Sequence, residues 1–229
     1  MMTLRPGRER GRGAFDWLDS RHSFSFANYY DPRHMGVSNL RVINDDWIKP
    51  GTGFDTHPHQ NMEIISYILE GRIEHRDTMG FHTFLEAGDV QVMSAGSGIW
   101  HSEFNPSATD DLNIIQIWIR PNQRGIKPRY AQRNYTEATG VTLMVSGDGR
   151  DDSLHMHQDA SLYKMALAQQ SVHLDTSAGR VYYLHATRGE LTVNGQSLVA
   201  GDGLIVRQEA ALHIEAHAQG EALLFDLAE

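Results

Sequence analysis

The sequence predicts an all-β protein built as two tandem β-barrel units, from its strand spacing, its lack of helical period and an internal repeat. Short β-rich runs bounded by Gly, Asp, Asn or Pro recur along all 229 residues. They fall at residues 40–43, 62–69, 90–93, 112–119, 141–145, 181–184, 191–193 and 222–225. Many short strands at this spacing make a sandwich or barrel.

The repeat sets the domain organisation. In the first half a strand over 64–70 meets Gly71, continues through Arg72 and Ile73, and reaches Ala87-Gly88-Asp89. In the second a strand over 181–188 meets Gly189, continues through Glu190 and Leu191, and reaches Ala200-Gly201-Asp202. Each half therefore reads strand, glycine turn, strand, Ala-Gly-Asp turn, strand. Residues 121–149, with Pro121, Gly125, Pro128 and a polar run at 132–137, are the most linker-like. The boundary is placed near residue 138, giving domains 1–138 and 139–229.

Composition removes several function classes. An apolar fraction of 40% with 21% charged residues suits a chain folded throughout. A net charge of −9 gives no global field for nucleic acid or an anionic membrane, so neither partner is expected. The arginines at 5, 8, 10 and 12, spaced by glycines, read as a solvated leader. No secretory pattern and no bilayer-length apolar stretch occurs, so a cytoplasmic location is expected. A double barrel covers its own sheet faces, which predicts a monomer. With no cysteine, disulfides, thiolate metal sites and thiol catalysis are excluded. Any metal ligands must be His, Asp or Glu.

The first chemical signal is His57-Pro58-His59. With 13 histidines, chance alone gives about 0.7 such spacings, so context decides. On a strand, residues i and i+2 face the same way and their imidazoles can meet one ion. Pro58 then faces away and requires an edge or a strand start, as at a barrel mouth. The second signal is Ser94-Ala95-Gly96-Ser97-Gly98 followed by His101-Ser102-Glu103 and Asn105. His101 and Glu103 again share a face, and the glycines let the chain bend sharply before them. Two such tongs on facing strands supply three imidazole nitrogens and one carboxylate oxygen. That donor set suits iron, nickel, copper, manganese, cobalt or zinc, and suits calcium or magnesium poorly. Glu63 can be read as a ligand, as a hydrogen-bonding neighbour of the ligands, or as a buried acid; the second reading is preferred.

Other candidates read as structural. His155 and His157 lack a trailing Glu and a glycine turn. His213-x-Glu215 has no first tong, because Asp175 stands where the repeat would need a histidine. The aromatic group Phe24, Phe26, Tyr29 and Tyr30 reads as core or inter-barrel packing rather than a pocket lining.

The spaced residues Gly51, His57, His59, Glu63 and Gly71, then Gly88, Ser94, Gly96, His101 and Asn105, resemble the two motifs of the cupin superfamily. Within it, Trp17-Leu18-Asp19-Ser20, the runs 24–30, 40–46, 56–59 and 93–98, and His101-Ser102-Glu103 resemble the pirin family over the whole chain. Bacterial pirin-like proteins with quercetin 2,3-dioxygenase activity are the most similar branch. Ser94 stands where cupins often have proline and the last glycine lies one residue late, both pirin-like features. The resemblance implies a bicupin of two jelly-roll barrels, with the metal in the N-terminal one and none in the C-terminal one. It implies His57, His59, His101 and Glu103 as metal ligands, with Glu103 rather than Glu63 as the carboxylate. The implied activity is cleavage of a flavonol such as quercetin by O2 with release of carbon monoxide, Glu103 serving as catalytic base. Iron(II) is favoured, because N/O ligation with open positions suits oxygen chemistry; Zn, Ni, Cu, Mn and Co remain alternatives. Two other functions fit the same family: a non-catalytic metal-binding regulator that docks on a protein partner, and a cupin enzyme for another substrate. A deep apolar pocket beside the metal separates the enzymes from the regulator.

Overall fold

A computed structural model describes residues 1–229. The first barrel is built from β2 to β12. Ahead of it lies β1 (Met2–Arg5). Next come β2 (Gly11–Ala14), β3 (Leu18–His22), β4 (Leu40–Ile48), β5 (Gly53–His59), β6 (Glu63–Glu70) and β7 (Arg72–Asp77). The barrel is completed by β8 (His82–Glu86), β9 (Asp89–Ser94), β10 (Ile99–Phe104), β11 (Leu112–Ile119) and β12 (Arg129–Asn134). The second barrel holds β13 (Gly140–Ser146), β14 (Leu154–His155), β15 (Ala160–Asp175), β16 (Arg180–Val193), β17 (Gln196–Val199), β18 (Gly203–Arg207) and β19 (Ala211–Ala228). The fold is the all-β bicupin that the repeat and the resemblance predict. No helix is long and apolar enough to cross a membrane.

In the first barrel a seven-stranded sheet, ordered β12-β9-β6-β11-β4-β3-β2, faces a four-stranded sheet, ordered β5-β10-β7-β8. The second barrel is one sheet whose long strands bend. Register shifts interrupt β15 between Ala168 and Gln170 and β16 between Ala186 and Arg188, letting each strand serve both walls. Its interior is filled by Met165, Leu184, Leu191, Leu204, Leu212 and Leu224, all buried.

The two domains share one apolar layer. Ile43, Ile65, Tyr67, Ile115 and Ile117 of the seven-stranded sheet pack with Met144, Leu162, Val181, Tyr183, Leu223 and Phe225. This explains why residues 64–69 and 112–117 read as nearly continuous apolar runs. Both faces of β6 and β11 are covered, one by each layer.

The arginine-rich start departs from the solvated leader expected of it. Residues Met2–Arg5 pair antiparallel with β18 of the second barrel. Arg5 is buried and donates to the Tyr29 hydroxyl at 2.8 Å, while the half-buried Arg10 pairs with Asp45 at 3.2 Å. These charges are paired at the contact between the barrels; Arg8 and Arg12 stay exposed.

Candidate metal centre

β5 and β10 are antiparallel neighbours, with His57 directly opposite His101 and Ile99 opposite His59. Alternation along each strand then points the three imidazoles into the first barrel. Their ring centroids lie 4.5 Å (His57 to His101), 4.9 Å (His59 to His101) and 4.8 Å (His57 to His59) apart. One ligand nitrogen from each lies within 4.8 Å of the others. Pro58 is on β5, an edge strand, where its missing N–H costs no ladder bond. The turn before β10 depends on Gly96, at φ +48, where a Cβ would sit 2.1 Å from the Ile126 carbonyl oxygen.

The donor set fits a cation. His57 Nδ1 donates to the Asp55 carbonyl at 2.7 Å, which leaves the lone pair on Nε2. His101 is 1% exposed, yet neither of its ring nitrogens has a hydrogen-bond partner. Burial, then the neighbouring imidazoles, lowers the His101 pKa to about 3 and that of His59 to about 4. Both rings are thus neutral, the form that ligates. An orphaned imidazole is costly in a dry interior, and a metal ion would satisfy it.

Glu103 follows a register shift in β10 and lies opposite His75 of β7. Its carboxylate oxygen groups with nitrogens of His75 and His101, so His101 is the member shared with the three-histidine group. Gln91 Nε2 donates to Glu103 Oε1 at 2.8 Å and Gln116 Nε2 donates to Oε2 at 2.6 Å. The Ser66 hydroxyl lies 3.3 Å from Oε1.

These donors belong to a polar belt that the sequence reading missed. His22, Asn44, Gln116, Ser66 and Gln91 are successive cross-strand partners on β3, β4, β11, β6 and β9. All five are buried. The available signal was one polar residue at an inward position of each of several otherwise apolar strands. His75 was missed as well, although His75-x-Asp77 has the tong spacing. Its Nε2 lies 3.0 Å from Asp77 Oδ2, and its Nδ1 has no partner.

The three histidines and Glu103 line a cavity of about 470 Å³. Its apolar walls include Phe26, Phe54, Ile64 and Trp118. Trp118 stands edge-on to His59 at 5.0 Å and to Phe26 at 5.3 Å. The aromatic group near residue 26 therefore divides. Phe24 packs between the barrels against Tyr183, at 5.4 Å, whereas Phe26 and Tyr29 line the cavity, contrary to the expectation for them. Tyr30 is exposed.

Glu63 departs from its expected role beside the ligands. Ile64 and Ser66 face the barrel interior, so Glu63 points out of it, toward the second barrel. There it accepts a bond from the Ser94 hydroxyl at 2.7 Å, and burial raises its pKa. His155 and His157 lie close to it and are held by Arg129, whose Nη1 is 2.8 Å from His155 Nδ1 and 3.4 Å from His157 Nε2. His213 and Glu215 pair with each other at 2.8 Å on the surface.

Comparisons with known proteins agree with this architecture. Residues 4–119 match the family model described as Pirin, and residues 143–227 match the one described as Quercetinase C-terminal cupin domain. The chain is 51% identical to a quercetin 2,3-dioxygenase of Escherichia coli K12, covering 99% of each sequence. Among solved structures it is similar to YhhW from Escherichia coli, with TM-score 0.97 and 50% identity over 99% of this chain and 97% of that one. A second structure, bacterial pirin YhhW in complex with nickel(II), matches with TM-score 0.96 and 49% identity over 100% of this chain and 99% of that one.

Proposed function

The chain belongs to the pirin family, and on that footing we propose that it is a metal-dependent dioxygenase that cleaves a flavonol such as quercetin, releasing carbon monoxide. The observation that carries the reading is the unpartnered, buried His101 facing His57 and His59 on the wall of an aromatic-lined cavity. A regulator that only held a metal would need no such cavity beside it.

A divalent ion fits this donor set, and the nickel(II) complex of the similar YhhW supports one. His57, His59, His101 and Glu103 would hold it, with iron(II) preferred for oxygen chemistry. When bound, the ion supplies Lewis-acid and redox chemistry toward a phenolic substrate and dioxygen.

The chain's own residues do the rest. Phe26, Phe54 and Trp118 offer flat apolar faces to the aromatic rings and keep water from the reacting carbons. Glu103 accepts the proton of the flavonol 3-hydroxyl. Its orientation for that step comes from the Gln91 and Gln116 amides, which leave further lone pairs on both carboxylate oxygens.

The test is to load the purified protein with iron(II), add quercetin with and without oxygen, and follow quercetin absorbance and headspace carbon monoxide. Oxygen-dependent loss of quercetin with matching carbon monoxide is expected. Stable quercetin in the fully loaded protein would end the flavonol reading in favour of a regulatory role or another substrate.

A further inference from the structure

The polar belt extends beyond the residues that hold Glu103. At its far end lie His22 and Asn44, and directly beside them the cross-strand pair Ser20 and Asp46. All four line the same cavity as the metal-site histidines. None is used by the proposed metal centre.

Two of these groups are oriented but unsatisfied. His22 Nδ1 lies 2.8 Å from Asn44 Oδ1, an acceptor-only atom, so the ring proton sits on Nδ1 and the lone pair on Nε2. Burial lowers the His22 pKa, which favours the neutral ring. The strand beside it carries Gly13, where a Cβ would lie 2.8 Å from His22 Nε2; glycine leaves that nitrogen uncovered. Asp46 is 2% exposed and its Oδ1 has no partner. Burial, with Asp45 and Glu103 adding to it, pushes its pKa up to about 7. A carboxyl in that range donates as well as accepts. A purely structural carboxyl in a dry interior would be paired.

We propose that His22 Nε2 and the Asp46 carboxyl, set in place by Asn44 and Ser20, form a subsite that hydrogen-bonds phenolic hydroxyls of the substrate other than the one presented to His57, His59 and His101. One acceptor nitrogen beside a carboxyl matches two adjacent hydroxyls on an aromatic ring. The subsite rests on the flavonol reading and adds to it: the chain selects polyhydroxylated flavonols over those bearing the 3-hydroxyl alone. A site that buries hydrogen-bonding groups rejects an analogue lacking their partners, because those groups then stay unpaired.

The test measures binding without turnover. The metal-loaded protein is titrated under argon with quercetin and with 3-hydroxyflavone, reading quenching of tryptophan fluorescence. Wild type should bind quercetin at least tenfold more tightly. Asp46→Leu and His22→Phe should each reduce that preference to below threefold while changing 3-hydroxyflavone affinity by less than twofold. Asp46→Leu should also raise the thermal midpoint, because it removes an unpaired buried carboxyl. Gly13→Ala, which crowds His22 Nε2 without touching Asp46, gives a second route to the same loss. If wild type binds both flavonols equally, or the variants weaken both alike, the subsite is refuted while the flavonol reading survives. If wild type binds neither, both fail together.

Discussion

Gln116 Nε2 donates to Glu103 Oε2 at 2.6 Å, joining the two sheets of the first barrel across its interior. Gln116 sits mid-strand on β11 within the seven-stranded sheet, and Glu103 sits on β10 beside His101. The contact does two things: it supplies a donor to a buried carboxylate, and it fixes where that carboxylate points.

Removing the donor should therefore be felt globally. Gln116→Leu keeps the volume but leaves a buried carboxylate oxygen short of a charge-assisted bond, a loss of about 2 to 3 kcal/mol. For a chain of this size that corresponds to a fall in thermal midpoint of roughly 4 to 12 °C. An unchanged melting curve would show that Gln91 and Ser66 alone suffice for Glu103.

Metal content should follow His101 and ignore the second barrel. His101→Ala should lower metal occupancy at least about tenfold by elemental analysis, since it removes the imidazole common to both ligand groupings. His213→Ala, altering an exposed pair, should leave occupancy unchanged. Stoichiometric metal in the first variant, or loss in the second, would move the site.

Asp46 gives a pH signature. Its folded-state pKa of about 7 stands above the ordinary aspartate value of 3.8. Between those values the folded chain holds a proton that the unfolded chain has released. Its contribution to stability is thus fully present below pH 3.8 and is lost as pH rises through about 7. The slope is on the order of 1.4 kcal/mol per pH unit. Asp46→Asn removes this dependence, so its stability relative to wild type should grow between pH 4.5 and 7.5 in urea unfolding. Parallel curves for the two proteins would show that Asp46 titrates normally.

Much of this was legible in the chain. The repeat around Gly71 and Gly189, with its Ala-Gly-Asp turns, announced two copies of one barrel. The i, i+2 spacing of His57 with His59 brought their rings together because strands alternate, and the structure places His101 beside them. Glu63 was misjudged because motif spacing says nothing about which face of a doubly buried strand a residue takes. Its neighbour Ile64 took the inner face. Gln91 and Gln116 were invisible for a related reason: a lone amide in an apolar strand becomes meaningful only when its cross-strand partners are known. The buried Arg5 and the half-buried Arg10 escaped notice because their partners, Tyr29 and Asp45, are distant in sequence.

The most direct test of the central claim compares wild type with Glu103→Gln at equal iron(II) occupancy, measuring carbon monoxide released per quercetin consumed under oxygen. The substitution keeps size and removes basicity, so the rate should fall by about 10² to 10⁴ while wild type releases one carbon monoxide per quercetin. A loaded Glu103→Gln variant as fast as wild type would contradict the assignment of Glu103 as the proton acceptor.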